Sequence, residues 1–135
     1  MSQVTAGSLA RKPVPTALLS THVSDVARMI VKQNVGAVVI ARDYEPVGII
    51  TERDIIERVV LKNKDINEVV AQEIMTTPVL TIDSNRTIEK ALEIMNKNHL
   101  RRLVVVKGQK LVGLITERRL LLAVSSLNKA RTPNP

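Results

Sequence analysis

A chain of 135 residues with 44% hydrophobic content holds enough apolar material for one compact core, and its apolar runs are far too short to cross a bilayer. The absence of cysteine excludes disulfides, thiol catalysis and thiolate metal sites. A formal charge of +7 and an isoelectric point near 10.1 point to an anionic partner, whether phosphate groups, nucleic acid or an acidic protein surface.

In chain order, the first dozen residues show little periodicity, lack the apolar segment of a signal peptide, and are expected to be loosely held in a soluble, cytoplasmic protein. An extended segment at 13–17 leads into a helix with Val23, Val26, Ala27, Ile30 and Val31 on one apolar face. Two apolar strands follow at 37–41 and 47–50, joined by a polar turn. Their apolar runs are continuous rather than alternating, as for strands covered on both faces. A second helix begins at Glu52 and carries Ile55, Ile56, Val59 and Val60. After a polar break at 62–65, residues 67–75 read as a short helical connector, and Pro78 enforces an extended exit after Thr76 and Thr77. The same series then returns: an extended segment at 78–82, a helix with Ile88, Ala91, Leu92 and Met95, strands at 103–106 and 111–115, and a helix from Glu117 carrying Leu120, Leu121 and Val124. Residues 128–135 read as a loose tail.

The return is a duplication. At an offset of 65, residues 13–60 align with 78–125 without a gap, giving 12 identities in 48 positions. The predicted fold is therefore α+β, with each repeat strand, helix, strand, strand, helix; residues 1–66 form the first repeat with its N-terminal segment, and 67–127 the second with its connector. Residues 1–67 carry nine Lys and Arg against seven Asp and Glu, and residues 68–135 eleven against six, so the positive excess lies mainly in the second copy.

The best-matched string is Val47-Gly48-Ile49-Ile50-Thr51-Glu52-Arg53-Asp54, which returns as Val112-Gly113-Leu114-Ile115-Thr116-Glu117-Arg118-Arg119. A carboxylate only accepts hydrogen bonds and can take two at once, so Asp54 at a cleft can read the cis diol of a ribose, with the Thr51 hydroxyl beside it. The same Thr-x-x-acid spacing is also a helix capping box, and the two roles can coexist. Arg119 stands in the aspartate's place in the second copy, and a guanidinium cannot accept from a diol. A second site at Thr116 and Arg119 is then empty, plugged by the arginine, or adapted to phosphate. His22 and His99 lack partners at metal-binding or nucleophilic spacing and read as structural. No hydrolase, nucleotide-hydrolysing, metalloprotease or dinucleotide motif occurs, so no catalytic role is expected.

These two strings, the segment Met75-Thr76-Thr77-Pro78-Val79 and the strand Leu100-Arg101-Arg102-Leu103-Val104-Val105 resemble a tandem pair of CBS domains, the regulatory Bateman module named after cystathionine beta-synthase, over about residues 13–125. The resemblance implies pseudo-twofold repeats with packed sheets and outer helices, clefts between the repeats, and an adenosine-containing regulator such as AMP, ADP or ATP. It also implies a homodimer that signals to a protein not identified by the sequence. On this resemblance Thr51 and Asp54 hold ribose, Ile50 flanks adenine, and Thr77, Pro78 and Val79 approach the same ligand. Arg101 and Arg102 occupy positions where similar proteins carry a His-Arg pair facing the ligand phosphates and so join the same nucleotide site, and Ile115 joins Thr116 and Arg119 in the second site. Two other readings follow from the charge and the asymmetry: a nucleic-acid-binding protein, or an adaptor whose clefts are vestigial. With one aromatic residue, Tyr44, the chain has little to offer unstacked bases.

Overall fold

The computed structural model describes residues 4–131. In chain order these form α1 (Ala6–Leu9), β1 (Thr16–Ala17), α2 (Val23–Gln33), β2 (Ala37–Arg42), β3 (Glu45–Thr51), α3 (Glu52–Ile55) running into a π-helical turn (Ile56–Val60), α4 (Ala71–Ile74), β4 (Thr81–Asp83), α5 (Ile88–Asn98), β5 (Arg102–Lys107), β6 (Lys110–Thr116) and α6 (Glu117–Arg131). They divide into two compact units. The front unit is built on Pro13–Val79, and the rear unit on the chain up to Lys12, Leu80–Gly108 and the chain from Val112 on.

Each unit has one three-stranded sheet, ordered β1-β2-β3 in front and β4-β5-β6 at the rear. Thr16 lies opposite Val39 in the parallel pair of the front sheet, and Thr81 opposite Val104 in that of the rear, so the register repeats at the same offset of 65. The continuous apolar runs do what they predict, since Ala37 to Ala41 and Leu103 to Val106 are all buried. In the front unit Val38, Ile40 and Ile50 pack with Val23, Val26 and Ile30 of α2 and with Val59. The rear unit repeats this with Leu103, Val105 and Ile115 against Ile88, Ala91, Met95 and Leu120. Asn34 and His99 end α2 and α5 in the left-handed conformation, with φ of 52° and 55°.

Several apolar residues that periodicity assigns to buried faces are exposed instead: Val31 by 81%, Ile56 by 52%, Val60 by 56% and Leu121 by 53%. The exposure recurs at the offset of 65: Leu121, on the α-helical α6, is the counterpart of Ile56, so both repeats leave the same apolar position uncovered.

Residues 1–3 lie outside the described residues, and the rest of the first dozen are not loose. Thr5 and Ser8 form a reciprocal capping box at the start of α1, with N–H to oxygen distances of 3.0 and 3.2 Å, and Ala6 and Ala10 are buried in the rear core. Ala6 is the counterpart of Ala71, the first residue of α4, at the offset of 65. Each repeat thus has a short lead-in helix that lies in the other compact unit: α1 in the rear, α4 in the front. The units therefore differ from the sequence halves at 66/67, which keep each lead-in with its own repeat. At the other end, α6 runs to Arg131, into the segment read as a tail; residues 132–135 lie outside the described residues.

A glycine receives each lead-in. A Cβ on Gly113 would stand 2.7 Å from both the Ala10 Cβ and the Arg11 carbonyl oxygen, and a Cβ on Gly48 would collide with the Met75 side chain. One residue on in each strand, the backbones bridge. Ile49 and Thr76 exchange N–H···O bonds of 3.1 and 2.8 Å, and Arg11 and Leu114 exchange bonds of 2.8 and 3.3 Å. Gly48 and Gly113 are thus explained by a close approach within the chain.

Candidate functional site

The front strand β3 ends at Thr51, whose extended backbone caps α3. Its hydroxyl accepts the Asp54 N–H at 3.2 Å, and Asp54 Oδ2 accepts the Thr51 N–H at 2.8 Å. The capping box expected from Thr-x-x-Asp is therefore present. It leaves Oδ1 facing elsewhere. Thr76 donates its hydroxyl to Oδ1 at 3.3 Å, and Arg58 Nη2 stands 3.8 Å from the same oxygen while its Nη1 donates to the Ile74 carbonyl at 2.7 Å. Asp54 is the one charged residue buried among the described residues. Burying a carboxylate costs several kcal/mol unless hydrogen bonds and an opposite charge offset it, roughly 1.5–3 kcal/mol coming from each charge-assisted bond.

Sequence reasoning singled out Thr77, but the hydroxyl that reaches Asp54 belongs to Thr76, and Arg58 was missed as well. Both had a signal: Thr76 lies in the quoted Met-Thr-Thr-Pro string, and Arg58 is four residues after Asp54 on a helical path. Thr77 and Pro78 are exposed and Val79 is half-buried. Ile50, expected to flank a base, is fully buried in the front core, as Ile115 is in the rear core. Strand alternation is the reason, because the residue before each, Ile49 or Leu114, points to the opposite face.

The rear counterpart is chemically different. Thr116 accepts the Arg119 N–H at 3.2 Å, but the guanidinium cannot return the second half of a capping box. Arg53 bonds Glu57 at 2.6 Å in the front unit, which holds its guanidinium pKa above the ordinary value, first by the hydrogen bond and then by the charge. Its rear counterpart, Arg118, has Leu122 at the matching position. Arg101 and Arg102 line a hollow of about 430 Å³ with Thr116, Glu117 and Arg118. Arg118, Thr116 and Arg119 line a second hollow, of about 260 Å³, with Arg11, Leu114 and Leu122. Among the described residues no cluster of His, Asp and Glu suits a metal, and no helix is long and apolar enough to cross a membrane. His22 and His99 fall at helix ends.

Comparison with known proteins agrees with this architecture. The CBS domain pattern matches twice, at residues 6–61 and 70–126, and both matches take in the lead-in helices. An uncharacterized protein of Methanopyrus kandleri is 35% identical over 123 residues, covering 90% of this chain and 63% of its own length. One of Methanocaldococcus jannaschii is 35% identical over 116 residues, covering 82% and 61%. The chain thus spans about three fifths of these relatives. Among solved structures, the CBS domain protein PAE2072 from Pyrobaculum aerophilum complexed with AMP superposes with a TM-score of 0.80 at 26% identity, covering 91% of this chain and 99% of that one. Hypoxic Response Protein I with two coordinated zinc ions gives 0.80 at 25% identity, covering 87% and 97%. The chain belongs to the CBS domain family, as a tandem pair of repeats.

Proposed function

We propose that this chain is a non-catalytic regulatory module that binds an adenosine nucleotide at Asp54 and passes its occupancy to a partner protein. The observation that carries the reading is the buried Asp54 carboxylate. Among the described residues its second oxygen is held only by a 3.3 Å hydroxyl contact and a 3.8 Å charge contact, so it has acceptor capacity to spare for a ribose diol. Thr51 and Thr76 supply neighbouring hydroxyls, with Thr77, Pro78 and Val79 next in the chain, and Ile49 takes the flanking role first assigned to Ile50. The AMP complex of PAE2072 supports the ligand class.

A ligand shifts the protein only by as much as it prefers one arrangement over another. Here the lever is local: a diol that competes for Oδ1 loosens the Thr76 and Arg58 contacts, and Arg58 also ties the π turn to the end of α4. The receiver engages the module as a dimer, with a second copy covering the apolar face of α2 around Val31 and Ile56. That face borders a hollow of about 400 Å³ whose lining includes Ala27, Ile30 and Ile55. Titration calorimetry with AMP and ATP tests the reading: saturable binding is expected, weakened by about tenfold or more in Asp54→Ala.

A further inference from the structure

We infer that the rear unit is a docking surface for the phosphate backbone of a duplex nucleic acid. This surface is independent of the nucleotide site at Asp54 and follows from how the exchange of lead-ins sorts the charge. By sequence halves the excess is divided, +2 for residues 1–67 and +5 for 68–135. By compact units it is not. The rear unit carries twelve Lys and Arg against four Asp and Glu, a net +8, and the front unit eight against nine, a net −1. The first lead-in brings Arg11 and Lys12 into the rear, while the connector takes Glu68 and Glu73 into the front. All of the chain's excess positive charge thus sits on one unit.

Ion pairing sharpens the division. Arg28, Arg53, Arg58 and Lys110 of the front unit each pair with a carboxylate, and in the rear unit Lys90 pairs with Glu93. Arg86, Lys97, Arg101, Lys107, Arg118 and Arg119 of the rear are exposed, with no carboxylate at ion-pair distance among the described residues. Their spread selects a polymer. Arg101 precedes β5 and Lys107 ends it, which at the rise of a strand sets their backbones about 20 Å apart. Arg86 belongs to the Lys107 end, because Ser84, in the same turn, donates its N–H to the Val106 carbonyl at 2.8 Å. A mononucleotide or a free phosphate chain reaches one end of β5, whereas a duplex, with one negative charge per about 1.7 Å of axis, reaches both. The chain's one aromatic residue, Tyr44, lies in the front unit, so the rear gives unstacked bases no platform and suits a duplex rather than a single strand. Leu80, Leu121 and Leu122 are the large apolar side chains exposed there among the described residues, too few to anchor the unit in a bilayer.

Fluorescence anisotropy tests this with a labelled DNA duplex of about 20 base pairs, the RNA duplex of the same sequence and the DNA single strand, between about 50 and 200 mM salt. Duplex binding is expected at low salt, weakening roughly a hundredfold across that range, as for about four phosphate contacts. Arg86→Gln/Lys107→Gln, at the end of β5 away from the Thr116–Arg119 turn, is expected to weaken it by about tenfold, and Arg101→Gln/Arg102→Gln, at the other end, in the same direction. Lys62→Gln/Lys64→Gln removes the same charge from exposed positions of the front unit and is expected to change it by less than about twofold. Asp54→Asn should also leave duplex affinity within about twofold, so the two sites succeed or fail separately. Equal affinity for the DNA and RNA duplexes assigns the surface to backbone charge alone, and preference for one adds groove shape; either outcome supports it. No duplex binding at low salt, tighter binding of the single strand, or equal losses in the front and rear double variants overturns it. So does binding to phosphatidylserine vesicles without binding to duplex, which would assign the cations to a bilayer.

Discussion

Thr76 donates its hydroxyl to Oδ1 of Asp54 across 3.3 Å, joining residues 22 positions apart in sequence. The contact ties the end of the connector to the one buried charge among the described residues. Thr76→Val keeps the shape and removes the donor. It is expected to destabilise the protein by about 0.5–1.5 kcal/mol in urea denaturation, the usual net worth of such a bond. No change in midpoint would mean that water replaces the hydroxyl without loss.

The two lead-in glycines give a matched pair. At Gly113 an added methyl group meets the Arg11 backbone, which cannot move without breaking the Arg11–Leu114 bridge, whereas at Gly48 it meets a flexible methionine side chain. Gly113→Ala is expected to cost about 1–3 kcal/mol and Gly48→Ala clearly less, measured by chemical denaturation. The reverse order would contradict the proposed packing of the lead-ins.

Ile50 was expected to touch a base and is instead fully buried. Ile50→Ala should therefore cost about 2–5 kcal/mol of stability, in line with other large-to-small core changes. Folded protein recovered at low temperature should still bind AMP within about twofold of wild type, because the side chain faces the core rather than the ligand.

The face around Val31 supplies a prediction about assembly. Val31 is 81% exposed on a face that also borders Ile56. Val31→Asp places a charge where a second copy would bury it, and sedimentation velocity is expected to show wild-type dimers and mutant monomers with unchanged helix content. A wild-type monomer would remove this surface from the account.

Much of this was legible in the sequence because it is written twice. The offset of 65 reproduces the strand register, both cores and the Thr51 and Thr116 caps, and continuous apolar runs at 37–41 and 103–106 marked strands buried on both faces. Of the lead-in helices, α4 lies within the segment 67–75 read as a helical connector, while α1 was missed because four residues are one turn, too short to show a helical period. Ile56 and Leu121, one position in the two repeats, were misplaced because an apolar pattern marks a hydrophobic face without saying whether the chain itself covers it. Thr76 was missed as a partner of Asp54 because a contact across 22 residues leaves no local pattern, whereas Arg58, four residues on, was legible from helical spacing and overlooked; Ile50 is buried because strand alternation, which the resemblance does not mark, decides which aliphatic residue faces out.

The account turns on Asp54 as a reader of the ribose diol, and the most direct measurement is the affinity of AMP against 2′-deoxy-AMP for wild type and for Asp54→Asn, which keeps an oxygen for the Thr51 cap. Wild type is expected to prefer AMP by about tenfold, and the variant to lose most of that preference while remaining folded. Equal affinity for the two nucleotides in wild type, or a preference that survives in Asp54→Asn, would contradict it.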